Sequence, residues 1–421
     1  IVDGRPANCF FRTPEYEHTG GDSLARIQVD EGMRLEVAKC DLADFFHCCE
    51  APDAVRPYLG LRRVLATDLR DAGVAVPEAA VDAGGYTWPR LTTLPMGWKP
   101  SPGIAQGSHE AVLYGSLGGG SELARAVPPV LEPAARWSSE RVPELDSQGA
   151  RTPHALVVDD LLLFRTVPRR RRGHASDVGV PLAPVLQRYA DVGLRTKPTK
   201  VHDYAAAQDL LGYRLDSNVL RSSVERYAQL HRGVTALEAR GFAHPREVEQ
   251  LVGRFTHAFL LHRPALSVFS AVYAFGQKVG DRRAQVWPSV LKELRQALAI
   301  LPLVRSDLSR PVSPVLVQTD ACGTGCAAVY TTDVPHTELR REYQQPRTRP
   351  RAAGRQWSVD RDLAAEFDAP LDPDAWRVAW RRTYKPGSVE ASADINTKEL
   401  GAAVDAVRWA SRAPRTRRCR L

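Results

Sequence analysis

The sequence lacks the patterns of secreted, zinc-binding and membrane-spanning proteins. Its seven cysteines form no CxxC pair and have no histidine partner at zinc-finger spacing. The longest apolar runs fall short of the roughly 18 residues that a membrane span needs, and no signal-peptide pattern opens the chain. These absences argue against secretion and against a membrane partner. We expect a reducing intracellular compartment, cytoplasmic or nuclear.

Methionine is also scarce, with two residues in 421 and none at the start. The chain opens at Ile1 inside a strand-like pattern and stops at Leu421 after a basic stretch. We therefore expect a fragment of a longer protein. The length allows two or three domains, and the charged fraction of 25% with a hydrophobic fraction of 43% is typical of a folded globular chain.

The charge has no strong excess of either sign. Lysine and arginine number 57 against 49 acidic residues, which gives a formal net charge of +8. Much of the local excess lies in three arginine-rich segments, at 168–172, 340–355 and 412–420. Such segments fit solvated loops and nucleic-acid contacts about equally well.

The most informative feature present is the pair Asp159-Asp160, which lies inside the otherwise apolar run 155–164. An unpaired charge is costly to bury, so a strand, turn, strand hairpin with both carboxylates at its tip is the structure that this pattern indicates. Carboxylates at such a tip can bind divalent cations. Taken alone, the pair also fits an ordinary turn.

A third carboxylate, Asp41, ends a strand-like segment that begins near Leu35 and precedes Phe45 and Phe46. If this strand pairs with the hairpin, the three aspartates meet. Two divalent cations about 4 Å apart at such a site can activate an attacking hydroxyl and neutralise charge on a phosphoryl group.

Other segments show a clear period in their apolar residues or contain glycine and proline residues that mark turns. A loop at 94–100 leads into a helix through 114, and a Gly-rich and Pro-rich insertion at 115–150 suggests a surface loop. Apolar patterns predict helices at 185–192, 224–239, 245–262, 288–301 and 396–410, a short strand at 210–215, and a two-stranded hairpin from 315 to 330.

Five segments in this order resemble the successive palm motifs of reverse transcriptases of the retrotransposon and retroviral branch. They are Asp41-Leu-Ala-Asp-Phe-Phe46, Leu94-Pro-Met-Gly-Trp-Lys-Pro-Ser-Pro102 with Gln106, Val157-Val-Asp-Asp160, Gly193-Leu-Arg-Thr-Lys-Pro-Thr-Lys200 and Leu211-Gly-Tyr213. The resemblance implies an α+β right-hand polymerase, with partial fingers and an antiparallel palm sheet in residues 1–220 and a helical thumb or connection in 221–310.

The resemblance also implies the residues that bind cations. Asp41 and Asp159 would each bind both of two Mg²⁺ ions, or Mn²⁺ in their place. Asp160 would support the same site, and the Leu42 carbonyl is a further candidate ligand. Lys200 matches a lysine that protonates the leaving pyrophosphate, although a solvated surface lysine fits equally well.

Four further residues would contact substrate by the same resemblance. Phe46 would crowd a ribose 2′-hydroxyl, with plain core packing as the alternative. Gly97 would let the backbone approach template and nucleotide, and Gln106 would contact one of them; a loop and a helix start are the alternatives. Arg5 resembles the end of the fingers.

The sequence departs from the family pattern at three places. Val157 stands where a tyrosine is usual, which bears on primer contact, and Met96 stands where retroviral relatives often have glutamine. The basic fingers residues that bind the triphosphate would precede Ile1.

Residues 311–421 resemble ribonuclease H, incomplete at the C-terminus. Asp320 lies in the first hairpin and Glu399 on a helix, and the resemblance implies that both bind metal. Glu399 also fits a capping box with Asn396. The segment 333–385 lengthens the spacing between Asp320 and Glu399, and a further family aspartate would lie beyond the end of the chain.

The sequence therefore predicts an RNA-directed DNA polymerase of a retroelement that extends a primer 3′-hydroxyl with dNTPs, with a ribonuclease H-like domain. Its partners would be an RNA template, a DNA primer and an RNA/DNA hybrid; the oligomeric state stays open. Three alternatives remain. They are an inactive relic that only binds nucleic acid, a telomerase-like polymerase, against which the ribonuclease H hairpin argues, and a structural protein.

Overall fold

A computed structural model describes residues 8–12, 16–115, 129–138, 152–169, 182–335, 337–339, 372–413 and 419. They form a mixed α+β fold. Arg5 and most of the three arginine-rich segments lie outside these residues.

The first half of the chain builds a five-stranded sheet. Its strands and a separate short ribbon are β1 (Met33–Asp41), β2 (Val64–Leu65), β3 (Tyr86–Thr87), β4 (Arg136–Trp137), β5 (His154–Val157), β6 (Asp160–Pro168) and β7 (His202–Ala205). The sheet order is β4-β5-β6-β1-β7, with β4 parallel to β5 and the other pairs antiparallel. The predicted hairpin is confirmed as β5 and β6.

The central strand β6 is apolar from Leu161 to Phe164 because both faces of the sheet are covered there. Leu161 and Leu163 pack into one core and Leu162 and Phe164 into another, as the two-residue period of a strand requires. A strand covered on both faces has no alternation of apolar and polar residues. This explains the continuous apolar run that surrounds the aspartate pair.

Helices cover the face of the sheet that carries Leu161. The helices of this part are α1 (Gly21–Leu24), α2 (Phe45–Cys48), α3 (Ala66–Asp71), α4 (Ser101–Tyr114) and α5 (Leu182–Asp191). Helices α4 and α5 contribute Ala105 and Tyr189 to the same core as Leu161. The loop at 94–100 and both helices confirm the sequence predictions.

The predicted surface loop at 115–150 is wrong for its described part, residues 129–138. Trp137 in β4 is fully buried and packs edge-on against Phe164, with ring centroids 5.9 Å apart. Its indole N–H donates to the Ser23 carbonyl at 2.9 Å. The segment therefore adds an edge strand and a large core side chain, and burial of the indole overrides the loop-like composition around it.

The second half of the chain begins with a smaller sheet and a two-stranded ribbon. The strands are β8 (Ala207–Leu210), β9 (Tyr213–Asp216), β10 (Val219–Ser222), β11 (Phe242–Ala243), β12 (Ala284–Gln285) and β13 (Arg305–Asp307), with sheet order β13-β10-β9-β8. The single strand predicted at 210–215 is wrong. Leu211 and Gly212 have φ of 48° and 83° and turn the chain back as a two-residue hairpin loop.

Four helices follow, α6 (Val224–Arg240), α7 (Pro245–Phe259), α8 (Ala271–Val279) and α9 (Pro288–Ile300). Three confirm the predictions, and α8 adds to them. The Ser223 hydroxyl accepts from Arg226 N–H at the start of α6, and Gly241 ends it with a left-handed φ of 67°. These helices share one core with the sheet face that carries Leu162.

The last described part contains β14 (Leu316–Ala321), β15 (Gly325–Thr331), β16 (Arg377–Thr383), α10 (Val389–Ser392) and α11 (Ile395–Arg412). The hairpin β14-β15 and helix α11 confirm the predictions. The capping box on Asn396 is wrong, because Asp394 is the N-cap residue and its side chain accepts from the Thr397 N–H.

Short 3-10 helices complete the described secondary structure: Arg56–Tyr58, Glu78–Ala80, Pro133–Ala135, Pro198–Lys200, Leu260–Val268, Leu301–Leu303 and Pro373–Ala375. No single helix in the described ranges is long and apolar enough to cross a membrane. One pair, Pro245–Val268 with Ala271–Val279, passes that test jointly across an 82° bend.

Candidate active site

The structure brings the three predicted palm carboxylates together. Asp41 at the end of β1 is the register partner of Asp160 at the start of β6, so their side chains leave the same face of the sheet. Asp159 occupies the two-residue loop between β5 and β6. The Leu42 N–H donates to the Asp159 carbonyl at 3.0 Å, which ties the loop to the end of β1. The site therefore lies where two neighbouring strands end.

Negative charge is concentrated where strands β1 and β6 meet at this end of the sheet. Burial and the charges of Asp159 and Asp41 raise the pKa of Asp160 to about 6. Burial and the charge of Asp41 also raise the pKa of Asp159. The carboxylates are thus close enough to oppose each other's ionisation, and a cation beside them would favour it.

Two lysines face this charge. Asp41 is only 3% exposed, and its two oxygens accept from the ammonium groups of Lys197 and Lys200, each at 2.5 Å. Burial alone would raise the pKa of Asp41, but the two lysines outweigh it and the pKa is lowered. The hydrogen bond to Asp41 raises the pKa of Lys200. In this structure the lysines balance the charge of Asp41.

Sequence reasoning assigned no role to Lys197. Its signal was its position three residues before Lys200, across the 3-10 turn Pro198–Lys200. Residues three apart eclipse in such a turn, which puts both ammonium groups on one side. The Lys197 N–H also donates to the Asp41 carbonyl at 2.9 Å, so the backbone holds the turn against β1.

The donor set suits a hard divalent cation by its chemistry. Aspartate oxygens from Asp41, Asp159 and Asp160 are the ligands that Mg²⁺ and Mn²⁺ prefer. Within the described part of the chain, however, no three histidine, cysteine, aspartate or glutamate side chains are arranged so that they could hold a metal ion. Cation binding would require Lys197 and Lys200 to yield the oxygens of Asp41.

The turn that carries Asp159 has an unusual backbone. Val158 has φ of 55°, a left-handed value that is a genuine outlier for a β-branched residue. In a two-residue hairpin loop, a positive φ at the first position alone is the pattern of a type II′ turn, where glycine is usual. Such conformations cost roughly 1–3 kcal/mol and persist where the surroundings determine them.

Side chains of α4 hold this turn from behind. The Gln106 side-chain oxygen accepts from the Val158 N–H at 2.7 Å, and the Gln106 amide donates to the Leu156 carbonyl at 3.2 Å. Gln106 is 1% exposed. In this structure its amide is bonded to the hairpin backbone, and its contact with template or nucleotide stays a prediction.

His109, one turn along α4, holds the other side of Val158. Its Nδ1 lies 2.7 Å from the Val158 carbonyl and its Nε2 lies 2.6 Å from the Tyr189 hydroxyl. Tyr189 and Cys40 lie in the same buried core. Sequence reasoning missed all three residues. Only the one-turn spacing between Gln106 and His109 could have indicated a shared face.

Burial lowers the pKa of His109 and of His154 to about 4. An unfolded histidine takes up a proton below about pH 6.5, whereas the buried ring stays neutral to about pH 4, so each group costs stability as the pH falls through that window. We expect His154→Gln to gain about 3 kcal/mol relative to the parent between pH 7 and pH 4.

Urea denaturation at several pH values measures this difference, and other titrations cancel because they occur in both proteins. His202→Gln is the control, since His202 is exposed. A parallel pH dependence for His154→Gln and the parent would contradict the expectation.

The predicted substrate loop also has a defined conformation. Gly97 has φ of 97°, which favours glycine. The Asn8 amide donates to the Gly97 carbonyl and the Asn8 side-chain oxygen accepts from the Lys99 N–H, both at 2.8 Å. Phe46 is partly buried against the core that contains Leu161. The predicted substrate contacts of Gly97 and Phe46 stay predictions.

Asp320 and Glu399, the candidates in the last part of the chain, are both exposed. They lie on β14 and near the start of α11. Lys398, next to Glu399, donates to the Gly323 carbonyl in the turn after β14, at 3.4 Å. The start of the helix thus lies beside the hairpin turn that follows Asp320.

No protein-family model and no curated protein matches the sequence. Among solved structures, the chain is similar to a foamy viral protease-reverse transcriptase in complex with an RNA/DNA hybrid, with 11% identity, 97% of this chain and 41% of that chain covered, and a TM-score of 0.46. A foamy viral protease-reverse transcriptase in complex with dsDNA gives 12% identity, coverage of 97% and 62%, and a TM-score of 0.45. The chain thus spans less than two thirds of either protein.

Proposed function

We propose that this chain is an RNA-directed DNA polymerase of retroelement type. The observation that carries the proposal is the pairing of Asp41 with Asp160 across adjacent strands, with Asp159 in the loop beside them. Three carboxylates meet where these strands end, and burial together with the charges of Asp159 and Asp41 raises the pKa of Asp160. The order of the five palm-like segments supports the same activity.

The carboxylates of Asp41, Asp159 and Asp160 would hold two Mg²⁺ ions, with the Leu42 carbonyl as a further ligand. When bound, these ions supply activation of the primer 3′-hydroxyl and neutralisation of phosphate charge. The ammonium group of Lys200 lies at the same edge and would donate a proton to the leaving pyrophosphate.

Substrate contacts would come from the loop and the helix beside the site. Phe46 would crowd a ribose 2′-hydroxyl and select dNTPs. Gly97 would let template and nucleotide approach the backbone, and Arg5 would contact the nucleotide. Gln106 would act through the hairpin, since its amide holds the backbone of Val158.

The last domain would cleave the RNA strand of an RNA/DNA hybrid. Asp320 and Glu399 would hold the cations for this hydrolysis, and the contact of Lys398 with the turn after β14 places the start of α11 beside that hairpin.

Primer extension tests the polymerase activity. The protein is expressed from its complete reading frame and supplied with an RNA template, a DNA primer, dNTPs and Mg²⁺. We expect primer elongation that stops with EDTA or with Asp159→Asn. Asp191→Asn, which changes an exposed aspartate on α5, should leave elongation unchanged. Failure of the unmodified protein to elongate, or elongation by Asp159→Asn, would exclude this function.

A second candidate is an inactive protein that only binds nucleic acid. The observation that favours it is the double lysine pairing of Asp41, which in this conformation occupies both carboxylate oxygens. Titration with Mn²⁺ followed by electron paramagnetic resonance separates the two. The polymerase should bind Mn²⁺ and lose binding with Asp159→Asn, whereas the inactive protein should bind duplex without any cation.

A further inference from the structure

The turn at Val158 has a backbone conformation that valine rarely adopts, so neighbouring groups have to stabilise it. A valine has to be held at φ of 55°, whereas a glycine would take this conformation without strain. The turn also carries Asp159, so any relaxation of Val158 displaces a carboxylate of the candidate site. The groups that hold Val158 therefore act on the geometry of the site.

Both backbone polar groups of Val158 are bound by side chains of α4. Gln106 accepts from its N–H at 2.7 Å, and His109 Nδ1 lies 2.7 Å from its carbonyl oxygen. The His109 ring is fully buried and packs beside Phe45, with ring centroids 5.3 Å apart. Its orientation is thus determined by packing as well as by hydrogen bonds.

The directions of the two His109 hydrogen bonds follow from the Val158 carbonyl oxygen, which is an acceptor only. The Val158 carbonyl can only accept, so His109 Nδ1 must carry the proton. Burial keeps this histidine neutral, with a pKa of about 4, so Nε2 accepts from the Tyr189 hydroxyl at 2.6 Å. The Tyr189 side chain lies in the same buried core as Cys40.

The hydrogen bonds of His109 join the turn that precedes Asp159 to helix α5, through Val158 on one side and Tyr189 on the other. Tyr189 shares a buried core with Cys40, the residue that precedes Asp41. A movement of the His109 ring would therefore disturb both the turn and the packing behind the end of β1.

We propose that His109, oriented by Tyr189, is a positioning residue that keeps the Val158 turn strained and so sets the separation of Asp159 from Asp41 for cation binding. The expected effect on kcat rests on the proposed function, whereas the hydrogen bonds of His109 do not depend on it.

Substitutions at position 109 test whether the donated hydrogen bond matters. His109→Phe keeps a ring but removes the donor, whereas His109→Asn keeps a donor near Nδ1 in a smaller side chain. We expect His109→Phe to lower kcat for primer extension at least 10-fold with KM for dNTP within 3-fold, and His109→Asn to recover most of the loss. If the ring only filled space, His109→Asn would be the worse of the two.

A double-mutant cycle with Val158→Gly tests the strain. A glycine at this position needs no support, so His109→Phe should cost less than 3-fold in the Val158→Gly protein. An equal cost in both proteins would overturn the proposal. Tyr189→Phe, which removes only a hydroxyl, should lower kcat by a few-fold and provides a second variant if His109→Phe does not fold.

A readout without catalysis separates this proposal from the proposed function. Titration with Mn²⁺ alone should show at least 10-fold weaker binding in His109→Phe than in His109→Asn, and nitrogen NMR should show the Nδ1–H tautomer. If the parent is active and the His109→Phe protein has the same kcat and the same Mn²⁺ affinity, the positioning role alone is overturned. Absence of both elongation and Mn²⁺ binding in the parent would overturn both proposals.

Discussion

Replacement of Asp41 by asparagine is expected to lower primer extension at least about 10³-fold, which corresponds to about 4 kcal/mol of transition-state stabilisation. Asp41 is the most enclosed of the three carboxylates and faces Asp160 directly across the strand pair. An amide has the same shape but carries no charge, so it would neither neutralise a shared cation nor bind it with two oxygens. Single-turnover elongation with saturating template and primer measures the loss.

The same substitution should leave the fold intact. It weakens the ion pairs with Lys197 and Lys200 but removes repulsion from Asp159 and Asp160. We therefore expect the pKa of Asp160 to fall below its present value of about 6, as carbon NMR of the carboxyl groups would show.

Asp191→Asn is the matched control. This aspartate is exposed, and its carboxylate accepts a hydrogen bond from the Gln187 side chain on the same helix. A folded Asp41→Asn protein that elongates within 3-fold of the parent would contradict the assignment of Asp41.

Replacement of Trp137 by alanine should have the largest effect on stability. The indole is fully buried, packs against Phe164 and donates to the Ser23 carbonyl. Loss of a buried tryptophan costs roughly 3–5 kcal/mol, and the Ser23 carbonyl would lose its partner. We expect the free energy of unfolding to fall by about 4 kcal/mol, a large share of the roughly 5–15 kcal/mol typical of folded proteins.

Urea denaturation followed by circular dichroism measures this change. The control is Trp88→Ala, since Trp88 is 53% exposed and its removal should change the free energy of unfolding by less than about 1 kcal/mol. Equal effects of the two substitutions would show that residues 129–138 do not contribute to the core.

Features that depend on short-range pattern were predictable from the sequence. The strand ending at Asp41, the hairpin around Asp159 and the helix Ser101–Tyr114 each follow from local periodicity and from turn or proline signals. The long helix Val224–Arg240 follows in the same way from its apolar stripe.

Features that depend on contacts between residues distant in sequence could not be predicted from the sequence. The bond between His109 and Val158 joins residues 49 apart, and no local pattern around either residue indicates it. Burial of Trp137 depends on Phe164 and Ser23, which are remote in sequence. The turn at Leu211 did have a signal, because an isolated glycine inside a strand pattern marks a break, and Gly212 follows at once.

The core shared by the central sheet and helices α6 to α9 has a mechanical consequence. Leu162 and Phe164 on the sheet belong to the same cluster as Leu230 and Phe255 on the helices. A swing of these helices away from the sheet would separate apolar surfaces and expose them to water. Sheet and helices should therefore open as one cooperative unit. Any clamping of a bound duplex would have to come from side chains and loops rather than from a hinge between the sheet and the helices.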